Sequence, residues 1–136
     1  MTKENKRENI ALEVAKAERR LASARVLLAE GDCDGAASQA YYHVFHCARA
    51  LLLMDGLESK THSGIAHLIN LHFVRSGRMS PETALLLSRL EQQRELAEYD
   101  AAAIFTPSMA ETAIADATAY REAVRAILLE AGYALA

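Results

Sequence analysis

Apolar residues along this chain recur at steps of three and four, the period of a helix face, and the stripes they form are separated by short polar or glycine-bearing breaks. Ile10, Val14, Ala17, Leu21, Ala24 and Leu28 predict a first helix from about Lys3 to Glu30, ended by "EGDCDG". A second starts near Asp34, whose carboxylate can cap free N–H groups, and runs to Met54 before "DG" stops it. A third spans roughly Thr61 to Ser76, with Thr61 or Ser63 as cap, Gly77 as stop, and Ile65, Leu68, Ile69 and Phe73 facing inward. "SPET" begins a fourth: Ser80 caps, Pro81 takes the first helical position, where its missing N–H does no harm, and Glu82 complements the helix dipole. It reaches about Tyr99, with Leu86, Leu90, Gln93 and Ala97 as its inner stripe and Arg94 at the margin. "TPSMAE" opens the fifth, either from Thr106 with Pro107 at the first position or from Ser108 with Glu111 closing a capping box, and Gly132 ends it near Ala131. No stretch alternates as a half-buried strand would. The expected fold is all-α, an up-and-down antiparallel four-helix bundle with one additional helix, about five in all.

Length changes this picture little: 136 residues make one domain, 1–136, able to bury about two-thirds of its unfolded surface. With 51% apolar and 24% charged residues the chain reads as globular. Its longest apolar runs, such as Ala50 to Met54, fall far short of the roughly 20 residues that span a bilayer. The opening "MTKENKRENI" has no hydrophobic segment, so neither a signal peptide nor an anchor is read there, no membrane association is expected, and a cytoplasmic location is. Cys33 and Cys47 lack CxxC spacing and read as free thiols of a reducing compartment. A net charge of −3 gives no global attraction to polyphosphate, so any nucleic-acid contact must be local.

The second helix concentrates the side chains with chemistry in "QAYYHVFHCAR", residues 39–49. At about 100° per residue, Tyr41, Val44, Phe45, Ala48 and Leu52 share a core stripe, so Tyr41 and Phe45 are assigned to packing. Tyr42, His46, Arg49 and Leu53 form the neighbouring stripe, with Gln39 at its edge, and His43 points away from both. That second stripe is either a partly buried flank or a ligand or partner surface, since a phenol, an imidazole and a guanidinium together can stack on and hydrogen-bond a nucleotide or a facing subunit.

Other chemistries find little support. A di-iron carboxylate bundle needs Glu-x-x-His on two helices, and the chain has none; His62, His67 and His72 are spaced by five and diverge by about 140°. No metal and no cofactor are expected. There is no Gly-x-Ser-x-Gly elbow, no basic cluster beside either cysteine, and no phosphate-cradling glycine loop. In "EQQRELAEYD" Arg94 has Glu91, Glu95 and Glu98 within helical reach, the ordinary setting of a salt-bridged arginine.

Taken together, "GDCDGAASQAYYHVFHCARALLLMDGLESKTHSG" and the later "RELAEYD" resemble the HEPN (higher eukaryotes and prokaryotes nucleotide-binding) domain, in particular its small stand-alone prokaryotic branch. The resemblance rests on Tyr41-Tyr42, Phe45-His46, Lys60-Thr61-His62-Ser63-Gly64 and Arg94 with Tyr99, and covers about Glu30 to Leu128. It implies a helical bundle that forms a two-fold homodimer. It further implies either a metal-independent endoribonuclease toxin or a nucleotide-binding or structural module, and a minimal nucleotidyltransferase as antitoxin partner. Nuclease members carry an arginine followed, after four to six residues, by a histidine. The imidazole moves protons at the RNA 2′-hydroxyl and the leaving oxygen, while the guanidinium stabilises charge on the phosphorus oxygens. No arginine here has a histidine five, six or seven positions later, and the matching place holds Arg94 and Tyr99. A phenol, with a pKa of about 10 in water, donates a hydrogen bond but is a poor general base at neutral pH. The pair also lies about 140° apart on a continuous helix. The expected reading is a nucleotide- or RNA-associated module of a toxin–antitoxin-type pair. Arg94 would contact phosphate, supported by Tyr99; Tyr42, His46 and Arg49 would line the adjoining surface, and His46 or His62 could replace the missing imidazole. The competing reading is a non-catalytic homodimeric interaction protein whose seam is that same stripe.

Overall fold

The computed structural model describes residues 2–133. Five α-helices follow one another: α1 (Lys3–Ala29), α2 (Cys33–Met54), α3 (His62–Ile69), α4 (Pro81–Tyr99) and α5 (Pro107–Glu130), and no strand occurs among the described residues. No helix among them is long and apolar enough to cross a membrane.

The predicted caps fall where their hydroxyls reach a free N–H three residues on. Thr61 accepts from Gly64, Ser80 from Thr83 and Thr106 from Met109, with Pro81 and Pro107 each opening a helix. Asp34 does not cap α2. The cap is Asp32, whose Oδ1 accepts from the Gly35 N–H at 2.9 Å, because Gly31 has already turned the chain through a left-handed φ of 86°. The α1–α2 link is therefore only three residues long, which forces an antiparallel hairpin.

α2 is the central helix and packs against all four others. Its alanines explain how: Ala36, Ala37, Ala40, Ala48 and Ala50 are fully buried and let neighbouring backbones approach closely. Lys6 reaches the Met54 carbonyl and Ala17 meets His43, so α1 runs antiparallel to α2; Arg89 meets Asp116, as expected for the α4–α5 hairpin. The four long helices thus form an up-and-down bundle, with α3 as the additional element.

Beyond Ile69 the third helix departs from the expected α geometry and continues as one π turn, Asn70–Val74, closed by the Arg75 N–H donating to the Asn70 carbonyl at 3.0 Å. The cause is in the sequence. Ile65, Ile69 and Phe73 are all buried and spaced by four, a spacing that drifts around an α-helix, and the wider turn brings Phe73 back onto the core face. Leu68 is only partly buried. Facing this seam, α4 also rolls from the expected stripe: Leu87, Leu90 and Glu91 are its buried residues, while Leu86, Gln93 and Ala97 flank them.

His43 does not point away from the packed faces. It is fully buried in the α1–α2 seam, with Nδ1 2.6 Å from the Ala17 carbonyl and Nε2 3.6 Å from Cys47 Sγ. Both cysteines are free and buried.

Candidate functional site

Three elements converge around Arg94. α4 supplies Glu91, Arg94, Glu98 and Tyr99; α2 supplies Tyr41 and Tyr42; the first turn of α3 supplies His62. The Arg94 side chain is 15% exposed and every nitrogen of its guanidinium meets a carboxylate. Nε and Nη2 form a fork on Glu91 at 3.1 and 2.7 Å, and Nη1 donates to Glu98 Oε2 at 2.8 Å. Its carbon lies 5.3, 5.8 and 5.8 Å from the ring centroids of Tyr41, Tyr42 and Tyr99, a cage of three phenols around one cation. Tyr99 is the last residue of α4 and still lies about 140° round the helix from Arg94, yet the two long side chains reach each other, the guanidinium carbon 5.8 Å from the Tyr99 ring.

The two oxygens of Glu98 are held separately. Oε2 accepts from Arg94, while Oε1 accepts from the Tyr42 hydroxyl at 3.2 Å. Tyr41 was assigned to packing from its place on the helix, yet its buried ring carries a hydroxyl 3.2 Å from Nδ1 of His62 and beside the Glu91 carboxylate. Tyr41 is therefore a site residue that the apolar stripe concealed. The available signal was its adjacency to Tyr42, because two successive phenols cannot both be accommodated as plain core. Phe45 is partly buried, packed edge-on to His46 and tilted against Tyr41.

The stripe Tyr42, His46, Arg49 does not act as one surface. Tyr42 joins Arg94, whereas His46 and Arg49 turn to α1, where Glu13 lies 2.7 Å from His46 Nδ1 and 3.4 Å from Arg49 Nη2. His46 is 8% exposed; Arg49 lines a cleft of about 190 Å³ with Asn9, Leu12, Glu58 and Ser59. Among the described residues no three His, Cys, Asp or Glu side chains gather as metal ligands would.

The "KTHSG" segment explains how His62 is held. Thr61 caps the Gly64 N–H at 3.0 Å, and a Cβ on Gly64 would have to push aside the Ser59 hydroxyl and the capping Thr61 hydroxyl, so a larger residue there disturbs the cap. The loop from Asp55 to Thr61 doubles back along α2, which is why a residue 21 positions from Tyr41 meets it.

Burial sets the ionisation pattern. Desolvation alone would raise the pKa of Glu91, but the hydrogen bonds from Arg94 and Tyr41 more than offset it and hold the carboxyl below 4.5. Glu13 is lowered in the same way, its desolvation outweighed by His46 and Arg49, and Glu18 by Arg121. Arg94 is raised, first by its bonds to Glu91. Burial pushes His43 below 6.5, against the opposing hydrogen bond to the Ala17 carbonyl.

The lowered groups, His43 and the three carboxylates, act on stability with one sign. The stability that neutral His43 contributes is fully present above pH 6.5 and is lost as the pH falls from there toward its depressed folded value, because the unfolded imidazole takes a proton that the buried one refuses. The carboxylates add a further loss below 4.5. Urea midpoints measured from pH 7.5 to 4 should therefore fall steadily. Between pH 6.5 and its lower folded value His43 contributes a slope with a ceiling of about 1.4 kcal/mol per pH unit, and His43→Gln should flatten that part of the curve. A midpoint independent of pH between 7 and 5 would contradict this.

A family model described as the HEPN domain matches residues 12–130 of the chain. A UPF0332 protein of Pyrococcus horikoshii is 39% identical over 79 residues, 58% of this chain and 56% of that protein. A UPF0332 protein of Gloeobacter violaceus is 40% identical over 87 residues, 64% and 69% of the two chains. A protein of Methanocaldococcus jannaschii named as a candidate toxin is 32% identical over 93 residues, 68% of this chain and 69% of that one. The matches span between 56% and 69% of the length of these relatives.

Proposed function

The chain belongs to the HEPN domain family, and from that premise we propose that it is the RNA- or nucleotide-associated member of a toxin–antitoxin-type pair, with Arg94 as its phosphate contact. One observation carries the reading. The Glu98 carboxylate, with one oxygen on Arg94 Nη1 and the other on the Tyr42 hydroxyl, sits as a phosphate would sit between the same two donors. Glu98 belongs to the last turn of α4, and its side chain is 30% exposed, so it can swing out. Glu91 cannot follow without leaving a buried charge, and it keeps the guanidinium oriented. The free site is self-occupied, and a phosphodiester enters by displacing the glutamate. Tyr99, 76% exposed over the guanidinium, offers a ring for a base to stack on. The relatives named as toxins agree with this class of function. The partner in this reading is a minimal nucleotidyltransferase acting as antitoxin, and the pair is cytoplasmic.

Glu98→Ala should tighten binding of a single-stranded RNA oligonucleotide about two- to fivefold, the worth of an accessible ion pair. Arg94→Lys, which keeps the charge but loses the fork, should weaken it. Fluorescence anisotropy at fixed salt reads both, and the phosphate seat is wrong if neither variant changes the affinity.

A second reading, the non-catalytic homodimeric interaction protein, draws on the same end of the molecule. Leu96, Tyr99 and Ile104, at the end of α4 and in the loop after it, are 50, 76 and 81% exposed, apolar side chains that a second copy could cover. Light scattering of the wild type and of Leu96→Glu tests this: a dimer that Leu96→Glu dissociates supports the seam, and a monomeric wild type or an unaffected dimer removes it.

A further inference from the structure

We propose that the cleft between α1, the end of α2 and the 55–61 loop binds a free α-amino acid with a short apolar side chain. The proposal does not depend on the phosphate seat and uses none of its residues; it starts from Arg49. Five arginines form ion pairs among the described residues. Four of them, Arg78, Arg89, Arg94 and Arg121, also donate hydrogen bonds to the carboxylates they meet. Arg49 is the exception. Its Nη2 comes within 3.4 Å of Glu13 Oε1 as an ion pair only, with no hydrogen bond between them, and its guanidinium carbon lies 5.8 Å from the centroid of the Phe45 ring. The second Glu13 oxygen is occupied by His46 Nδ1 at 2.7 Å. Glu13 and Phe45 therefore hold the guanidinium in place without filling its donors, and a planar fork of N–H groups held this way matches a carboxylate.

The size of the cleft limits what that carboxylate belongs to. Its volume of about 190 Å³ is many times what one water needs, and it falls below the roughly 300–1,000 Å³ of sites that take drug-sized ligands. The occupant is a small organic molecule. Leu52, Leu53 and Leu57 give the cleft an apolar wall, and Leu12, 67% exposed, stands at its rim, so part of the occupant is apolar.

Charge decides the rest. The lining holds two carboxylates, Glu13 and Glu58, against the single guanidinium of Arg49. A simple anion would meet net repulsion there, and a simple cation would leave Arg49 unanswered. A zwitterion meets both signs: its carboxylate forks on Arg49, its ammonium faces the exposed carboxylate of Glu58, and its side chain lies on the leucines. The hydroxyl of Ser59 lines the same cleft and accepts from the Thr61 N–H at 3.4 Å, so an occupant also touches the loop that caps α3.

Nitrogen-15 NMR titration of the whole chain with L-leucine tests the proposal. Saturable shifts are expected at residues 9–13, 49–53 and 57–59, the three segments that line the cleft. Removal of the ammonium in 4-methylpentanoate should weaken binding about two- to fivefold, because Glu58 is exposed, and removal of the carboxylate in 3-methylbutylamine should weaken it about tenfold. Arg49→Gln and Glu58→Gln should reproduce those two losses; Glu58 lies in the loop outside the helices, so its variant reports on the site even if Arg49→Gln disturbs Glu13. Leucine that gives no saturable shifts, or shifts elsewhere in the bundle, overturns the site. Either single-charge analogue binding as tightly as leucine overturns the zwitterion, and unchanged affinity in both variants overturns the assigned contacts. N-acetyl-leucine amide binding as tightly as leucine would identify the occupant as a peptide segment and overturn the free amino acid.

Discussion

Arg94→Ala should lower the free energy of unfolding by about 3 kcal/mol while abolishing the phosphate seat. The stability loss does not come from deleting an attractive pair as such, because ion pairs near the surface contribute little. It comes from what remains: Glu91, 9% exposed and facing the core side of α4, loses the fork that compensates its desolvation. The double variant Arg94→Ala with Glu91→Gln should recover a large part of the loss, since it leaves no buried charge, and yet bind RNA no better than the single variant. Urea denaturation of the four members of that cycle measures the coupling. If Glu91→Gln recovers nothing in the Arg94→Ala background, the destabilisation has another source and Glu91 is not the buried half of the pair.

Phe73→Ala should be comparably damaging, at about 3–5 kcal/mol, for a different reason. Phe73 is fully buried, and its carbonyl accepts from the N–H groups of both Arg78 and Met79, which turn the chain toward α4. Arg78 covers the ring at 4.0 Å and pairs with Asp55 at the end of α2. Emptying this position removes the anchor that justifies the π turn, and the same anchor holds the far end of the segment whose first turn carries His62. Phe73→Leu keeps most of the volume and should cost less than about 1.5 kcal/mol. A Phe73→Ala cost below about 1 kcal/mol would mean that the wide turn forms for some reason other than seating this ring.

Arg94 and Phe73 differ in how visible their roles were beforehand. Phe73 lay on a stripe of buried positions spaced by four, so its burial could be read directly, and even the π turn follows from that spacing once the core face is known. Arg94 looked like a marginal, salt-bridged residue, and it is salt-bridged. What periodicity could not supply was the roll of α4, which makes Glu91 a buried residue and draws the guanidinium in over three phenols. A helical wheel assigns relative angles within one helix, but which angle faces the core depends on the helices packed around it.

His43 and Tyr41 show the same limit. Both were placed by angle, one outside the packed faces and the other wholly inside them. α2 has neighbours on every side, so it has no outside at the level of His43, and the tip of Tyr41 extends past the core to His62.

The sequence by itself determined the helices, their caps at Thr61, Ser80 and Thr106, the all-α class and the family, because capping, proline placement and apolar period act over a few residues. Only the tertiary structure decided that Tyr42 parts from His46 and Arg49, that Glu98 fills the space between Arg94 and Tyr42, and that His62 stands beside Tyr41. Apart from Arg94–Glu98, one turn apart on α4, those contacts join residues 21 to 56 positions apart, and their geometry depends on how α1, the 55–61 loop and the rolled α4 pack around α2, which no local rule encodes.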